Sequence, residues 1–186
     1  MTNKKHSRKN VRRKHVAGRL HTGESFEVHF RRGTELLMQG NHDEAVASLE
    51  QAYELDQAHS QAALNLSGAY ILTKQFKRAV AVLERLSQRE PDNPVVWQNL
   101  GAAYLGNPIL ATDNMQQQAI DAFRRALDLN PAAPNVAYNL GLVHRDRREY
   151  GEATFWFRRA VQTNPNDDDA RQLLARVRVL WVEEEE

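Results

Sequence analysis

From about residue 26 onward, apolar and small residues recur at helical spacing, and the arrangement returns every 34 residues. Val96, Leu100, Ala103 and Tyr104 fall on one face of a helix. Ala119, Ile120, Phe123, Ala126 and Leu127 do the same on a second. No strand-like alternation competes with this pattern. Leu66 and Leu100 are 34 residues apart, as are Tyr70 and Tyr104, Ala45 and Ala79, Phe123 and Phe157, Ala126 and Ala160, and Pro131 and Pro165. Leu100 to Leu140, Ala79 to Ala119 and Pro91 to Pro131 are 40 apart, an excess of 40 − 34 = 6. Tyr104 is in step and Ala119 is late, so the insertion lies between them. The segment Gly106 to Asn114, with Pro108 and two asparagines, predicts a turn there.

Each unit therefore predicts two amphipathic helices. Pro91, Pro131 and Pro165 stop the second helix of a unit, and Asp92, Asn93, Asn135, Asn166 and Asp167 supply cap-type residues at the junctions. After Asp167, a last amphipathic helix is predicted, with Ala170, Leu173, Leu174, Val177, Leu180 and Trp181 on its apolar side. Acids at its start suit a helix N-terminus. A stacked array needs such a polar-backed end.

A helix-turn-helix period of 34 with this signature resembles the tetratricopeptide repeat family. Trp97, Leu100, Gly101, Tyr104, Ala119, Phe123, Ala126 and Pro131 carry it in the third unit. Leu140, Gly141, Ala153, Phe157, Ala160 and Pro165 carry it in the fourth, where His144 replaces the usual Tyr. The second unit has Leu66, Tyr70, Ala79 and Pro91, with Ser67 for Gly. The first is divergent, keeping Gly33, Ala45 and Ala52. The resemblance implies an all-α, right-handed α-solenoid of four units plus a C-terminal capping helix. The expected organisation is a basic arm at 1–25, units at 26–59, 60–93, 94–133 (with the insertion) and 134–167, and a capping helix with acidic tail at 168–186.

Charge adds a second feature. The chain has 186 residues and a net charge of +1, yet residues 1–25 hold eight basic residues and one acid, 8 − 1 = +7. This segment has too few apolar side chains to offset the entropy of ordering and is expected to be disordered when free. Lys4, Lys5, Arg8, Lys9, Arg12, Arg13 and Lys14 are candidates for docking on nucleic acid, the ribosome or an anionic membrane. The alternatives are a solvated tail or a transit peptide. The absence of cysteine excludes disulfides, thiolate metal sites and a thiol nucleophile. No apolar run is long enough to span a membrane. A cytoplasmic location is expected.

Groove chemistry comes from one periodic residue. Asn65, Asn99 and Asn139 each precede the signature leucine; Arg31 stands there in the first unit. The resemblance places the first helix of each unit along a concave groove that binds peptides or partner helices. A ladder of carboxamides would hold an extended peptide backbone, since each amide both donates and accepts. The alternative is that these asparagines cap or tether neighbouring helices. Gln61, Gln98, Asn135, Tyr138 and Arg145 share the same face by helical spacing, with Leu64 and Leu142. Arg145, Arg147 and Arg148 form either an acid-binding cluster or a solvated one. Phe30, Thr34 and Val95 occupy positions where a carboxylate clamp for chaperone tails would need Lys, Asn and Lys, so that ligand is rejected. Of Phe155 and Trp156, one is expected to pack and the other to be exposed.

No phosphate loop, dinucleotide fingerprint or metal-binding pair occurs, so no enzyme, cofactor or metal is expected. Two function classes follow. One is a protein-interaction scaffold that binds a peptide or helix in its groove. The other is a tethering adaptor whose arm binds a polyanion while the groove recruits a protein. Oligomeric state is open.

Overall fold

The computed structural model describes residues 22–107 and 111–185, with side chains from Ser25 to Val182. The arm residues Lys4 to Lys14 and the insertion residues Pro108, Ile109 and Leu110 lie outside the described residues. Nine α-helices and no strands occur among the described residues. They are α1 (Thr22–Met38), α2 (His42–Leu55), α3 (Ser60–Leu72), α4 (Phe76–Arg89), α5 (Pro94–Leu105), α6 (Asp113–Leu129), α7 (Val136–Asp146), α8 (Tyr150–Thr163) and α9 (Asp168–Glu185). The chain divides into two compact units, Met1–Leu66 and Ser67–Glu186, with the boundary inside α3.

In the first unit, α1 packs along α2. Phe26 and Phe30 stack with ring centroids 5.6 Å apart, and His59 closes over both. The same His59 caps α3, its Nδ1 accepting from the Ala62 N–H at 3.1 Å. α1 starts at Thr22, so the helix takes in the last residues of the segment expected to be a disordered arm.

In the second unit, α5 packs on α4 and α6, and α8 on α7 and α9. The core is the periodic set itself: Leu83, Leu86, Val96, Phe123, Leu140, Val143 and Phe157 are all fully or nearly fully buried. Each such side chain contributes about 1.5–3 kcal/mol by leaving water. Helix ends follow local chemistry. α4, α6 and α8 end at Arg89, Leu129 and Thr163, just before Pro91, Pro131 and Pro165. Asn93 caps α5 by accepting from the Val95 N–H, with Pro94 in the first turn. Asp167 caps α9 by accepting from Ala170 N–H at 2.9 Å. Arg125 donates to the Pro91 carbonyl and Asp92, and Arg159, its equivalent one repeat later, to the Pro131 carbonyl. Asn135, expected to cap α7, sits there in a left-handed conformation, φ 60°, and makes no side-chain cap bond.

Two expectations are corrected. The insertion is not all turn: α6 has 17 residues against 14 in α4 and α8, so 17 − 14 = 3 of the extra residues are helical. Asp113 and Asn114 belong to α6 because Thr112 moves the N-cap back, its hydroxyl accepting from the Met115 N–H. The apolar side of α9 is only partly covered. Ala170 and Val177 are fully buried, but Leu180 and Trp181 are partly exposed, at the level where α8 begins at Tyr150 and Gly151.

Candidate functional site

The predicted groove residues fall into both units. In the first, the carboxamide of Asn65 is engaged by its own chain. Its Nδ2 donates to Thr34 Oγ1 at 3.0 Å, and its Oδ1 accepts from Gln61 Nε2 at 2.8 Å. Thr34 in turn donates to the Phe30 carbonyl. Asn65 thus ties α3 to α1, and Gln61 is held beside it.

The second unit differs. Asn99 on α5 and Asn139 on α7 are half-buried at the equivalent repeat position. Among the described residues, neither side-chain amide has a hydrogen-bonding partner. Gln98 is half-buried next to Asn99, and Asn135 is exposed at the start of α7.

Tyr138, Leu142 and Arg145 on α7 form one wall of a cleft of about 240 Å³; Asp169, Gln172, Leu173 and Arg176 on α9 form the other. Tyr138 packs edge-on to Phe157 at 5.9 Å, which fixes its ring. Its hydroxyl is pushed above the usual tyrosine range, first by burial and then by Asp169 and Asp167. A second cavity of about 170 Å³ is also lined by Tyr138, with Asn135, Pro131, Pro134 and Thr163. Sequence reasoning missed the α9 wall. The signal was available: Asp169, Gln172 and Arg176 sit 34 residues after Asn135, Tyr138 and Leu142.

Two of the three arginines at the end of α7 are held in local ion pairs. Arg145 is paired with Asp146 and Arg147 with Glu149, at 2.6 and 2.7 Å; Arg148 follows in a left-handed backbone conformation, φ 60°. Glu149 also accepts from His144 Nδ1 at 2.5 Å. Burial alone would raise the Glu149 carboxyl, but hydrogen bonds and charge from Arg147 and His144 outweigh it and hold it below the ordinary value. His144 is 3% exposed at the repeat position where Tyr70 and Tyr104 stand, and its Nε2 is buried without a partner. Of the adjacent aromatics, Trp156 is buried and Phe155 exposed. No group of three or more metal-type side chains is clustered among the described residues. No described helix is long and apolar enough to cross a membrane.

Tetratricopeptide repeat family models match residues 36–104 and 117–168. The chain belongs to the tetratricopeptide repeat family. The tetratricopeptide chain is 28% identical over 79 residues to the peroxisomal targeting signal receptor of Candida albicans, covering 42% of this chain and 12% of that protein. It is 31% identical over 85 residues to the BBSome complex member BBS4 of Mus musculus, covering 46% and 15%. The match spans less than a fifth of either relative's length. Among solved structures, MamA superposes with a TM-score of 0.72 at 22% identity, over 85% of this chain and 83% of that one. A thermophilic repeat protein of Thermus thermophilus gives 0.69 at 21% identity, over 83% and 81%. These likenesses show the fold: an all-α tetratricopeptide solenoid.

Proposed function

We propose that the chain is a non-enzymatic protein-interaction scaffold that binds a peptide or partner helix on the face made by the first helices of its repeats. The observation that carries the reading is the pair of half-buried carboxamides of Asn99 on α5 and Asn139 on α7, at one repeat position and without a side-chain hydrogen bond among the described residues. A half-buried amide not used by its own chain can exchange water for the amide of a bound peptide. Two rungs make at most four bonds, about 4 kcal/mol at a net ~1 kcal/mol each. Micromolar affinity needs about 8 kcal/mol. Tyr138, Leu142, Arg145, Gln98 and Asn135 supply the remainder, through apolar contact and charge. In the first unit the amides of Asn65 and Gln61 bond each other and Asn65 bonds Thr34, which leaves each with part of its capacity for a ligand. The relatives' names, a receptor and a member of a protein complex, agree with an interaction role.

The test is selection of binding peptides from a random display library with the full chain. Each selected peptide is then titrated against Asn99→Ala/Asn139→Ala and Tyr138→Ala. About tenfold or greater weakening supports the reading. Undiminished binding by both variants overturns it.

One observation favours a second reading. The +7 charge of residues 1–25 suits a tethering adaptor that binds nucleic acid, the ribosome or an anionic membrane through Lys4, Lys5, Arg8, Lys9, Arg12, Arg13 and Lys14. Deleting residues 1–25 would then abolish salt-sensitive binding to RNA or anionic vesicles; equal binding with and without the arm removes the adaptor reading.

A further inference from the structure

One turn near the end of α9, Val179 to Val182, is apolar on every side and largely uncovered. Val179, Leu180, Trp181 and Val182 are 58%, 37%, 39% and 59% exposed. Four consecutive residues spread over about 300° of a helix circumference. A helix apolar all round is a buried helix. Here only one side is met by the fold. Trp181 lies beside Gly151, where an added Cβ would stand 3.5 Å from the indole. Gly151 is in the first turn of α8, so α9, with 18 residues against 14 in α8, runs on past its support.

The segment is self-complementary. Two arginines, Arg176 and Arg178, precede the apolar stretch, and Glu183, Glu184 and Glu185 follow it. Both arginines are exposed, and neither forms an ion pair among the described residues. An antiparallel pair of such helices, centred between Leu180 and Trp181, sets Val179 opposite Val182. Along its two edges it brings Arg178 alongside Glu185 and Arg176 alongside Glu183 of the second helix. A parallel pair would bring the two acidic C-terminal ends side by side. Acids at a helix C-terminus oppose the helix dipole, and cations brought there by a partner relieve this. The arrangement is isologous and closes on itself as a two-fold dimer.

We propose that the C-terminal part of α9 docks antiparallel on the same segment of a second copy of this chain. The inference stands apart from the groove reading, since it uses the end of α9 and needs no peptide ligand.

The test is sedimentation velocity of the full chain from low to high micromolar concentration, with circular dichroism to confirm helix content. The intact chain is expected to dimerise. Arg176→Glu/Arg178→Glu and, separately, Glu183→Arg/Glu185→Arg are each expected to weaken the dimer about tenfold or more. An equimolar mixture of the two variants is expected to recover it as a heterodimer, because two of the four charge pairs are then native and the other two are restored in reverse. Val179→Asp/Val182→Asp is expected to be monomeric. An intact chain that stays monomeric throughout overturns the proposal, as does dimerisation of the charge-reversed variants at the intact level or a mixture that fails to associate.

Discussion

A Cβ built on Gly141 of α7 lies 2.7 Å from the ring of Phe157 on α8. Gly101 and Phe123 repeat the relationship at 2.6 Å, one unit earlier. No methyl group fits at such distances, so the two helices are held at the depth of a bare backbone. Gly141→Ala is expected to cost about 1–3 kcal/mol through overpacking. Gly68 gives the contrast: it is inside α3 and nothing lies within 4 Å of its added Cβ. Gly68→Ala is expected to be neutral or to stabilise by up to about 1 kcal/mol, as alanine is the better helix former. Urea midpoints of the two variants check both signs; equal loss in both would contradict the packing account.

Tyr104 donates to Glu84 Oε1 at 2.7 Å. Burial first, and then this bond and the carboxylate's charge, push its hydroxyl from 10.0 up to about 12. The folded state therefore favours the neutral phenol. Its contribution is complete below pH 10.0 and is lost as pH rises toward about 12. In an ultraviolet difference titration of the folded protein, one tyrosine is expected to ionise well after an ordinary one. Glu84→Gln is expected to bring it earlier. A titration unchanged by that substitution would sever the link between the two residues.

His144, Glu149 and Arg147 close the turn between α7 and α8. The Glu149 carboxyl is held below the ordinary value, so its stabilising effect is present at neutral pH and disappears as pH falls through the folded value. Glu149→Gln is expected to lower the thermal midpoint at neutral pH and to match the intact chain in strong acid. A gap independent of pH would mean that the ionised carboxylate is not what holds the turn.

Thr112 starts the longer α6. Thr112→Ala leaves the Met115 N–H without its acceptor and is expected to cost about 1 kcal/mol. Thr112→Ser is expected to recover most of it, as read by chemical denaturation. An alanine variant as stable as the intact chain would show that the start of α6 is held by something other than this cap.

Much of the fold was legible in the sequence because its determinants are local or periodic. The 34-residue recurrence of Leu, Gly, Ala and Phe marks helix faces that need a neighbour, and the prolines and Asn93 mark where helices stop and start. The site was legible only as a set of positions. The repeat made Asn65, Asn99 and Asn139 equivalent, and nothing in their spacing separates them. Tertiary structure does: Thr34, distant in sequence, engages one N–H of the Asn65 amide, while those of Asn99 and Asn139 have no such neighbour among the described residues. It likewise chose Trp156 over Phe155 for the core and supplied α9 as the second wall of the cleft. It also left Leu180 and Trp181 partly exposed despite their place in the apolar period, because they fall where α8 begins. By itself the sequence determined which residues make helices and which faces seek burial, through propensity and period. Only the packed chain decided which polar atoms were already satisfied and which apolar faces found no cover, because both depend on what another helix brings to the same place.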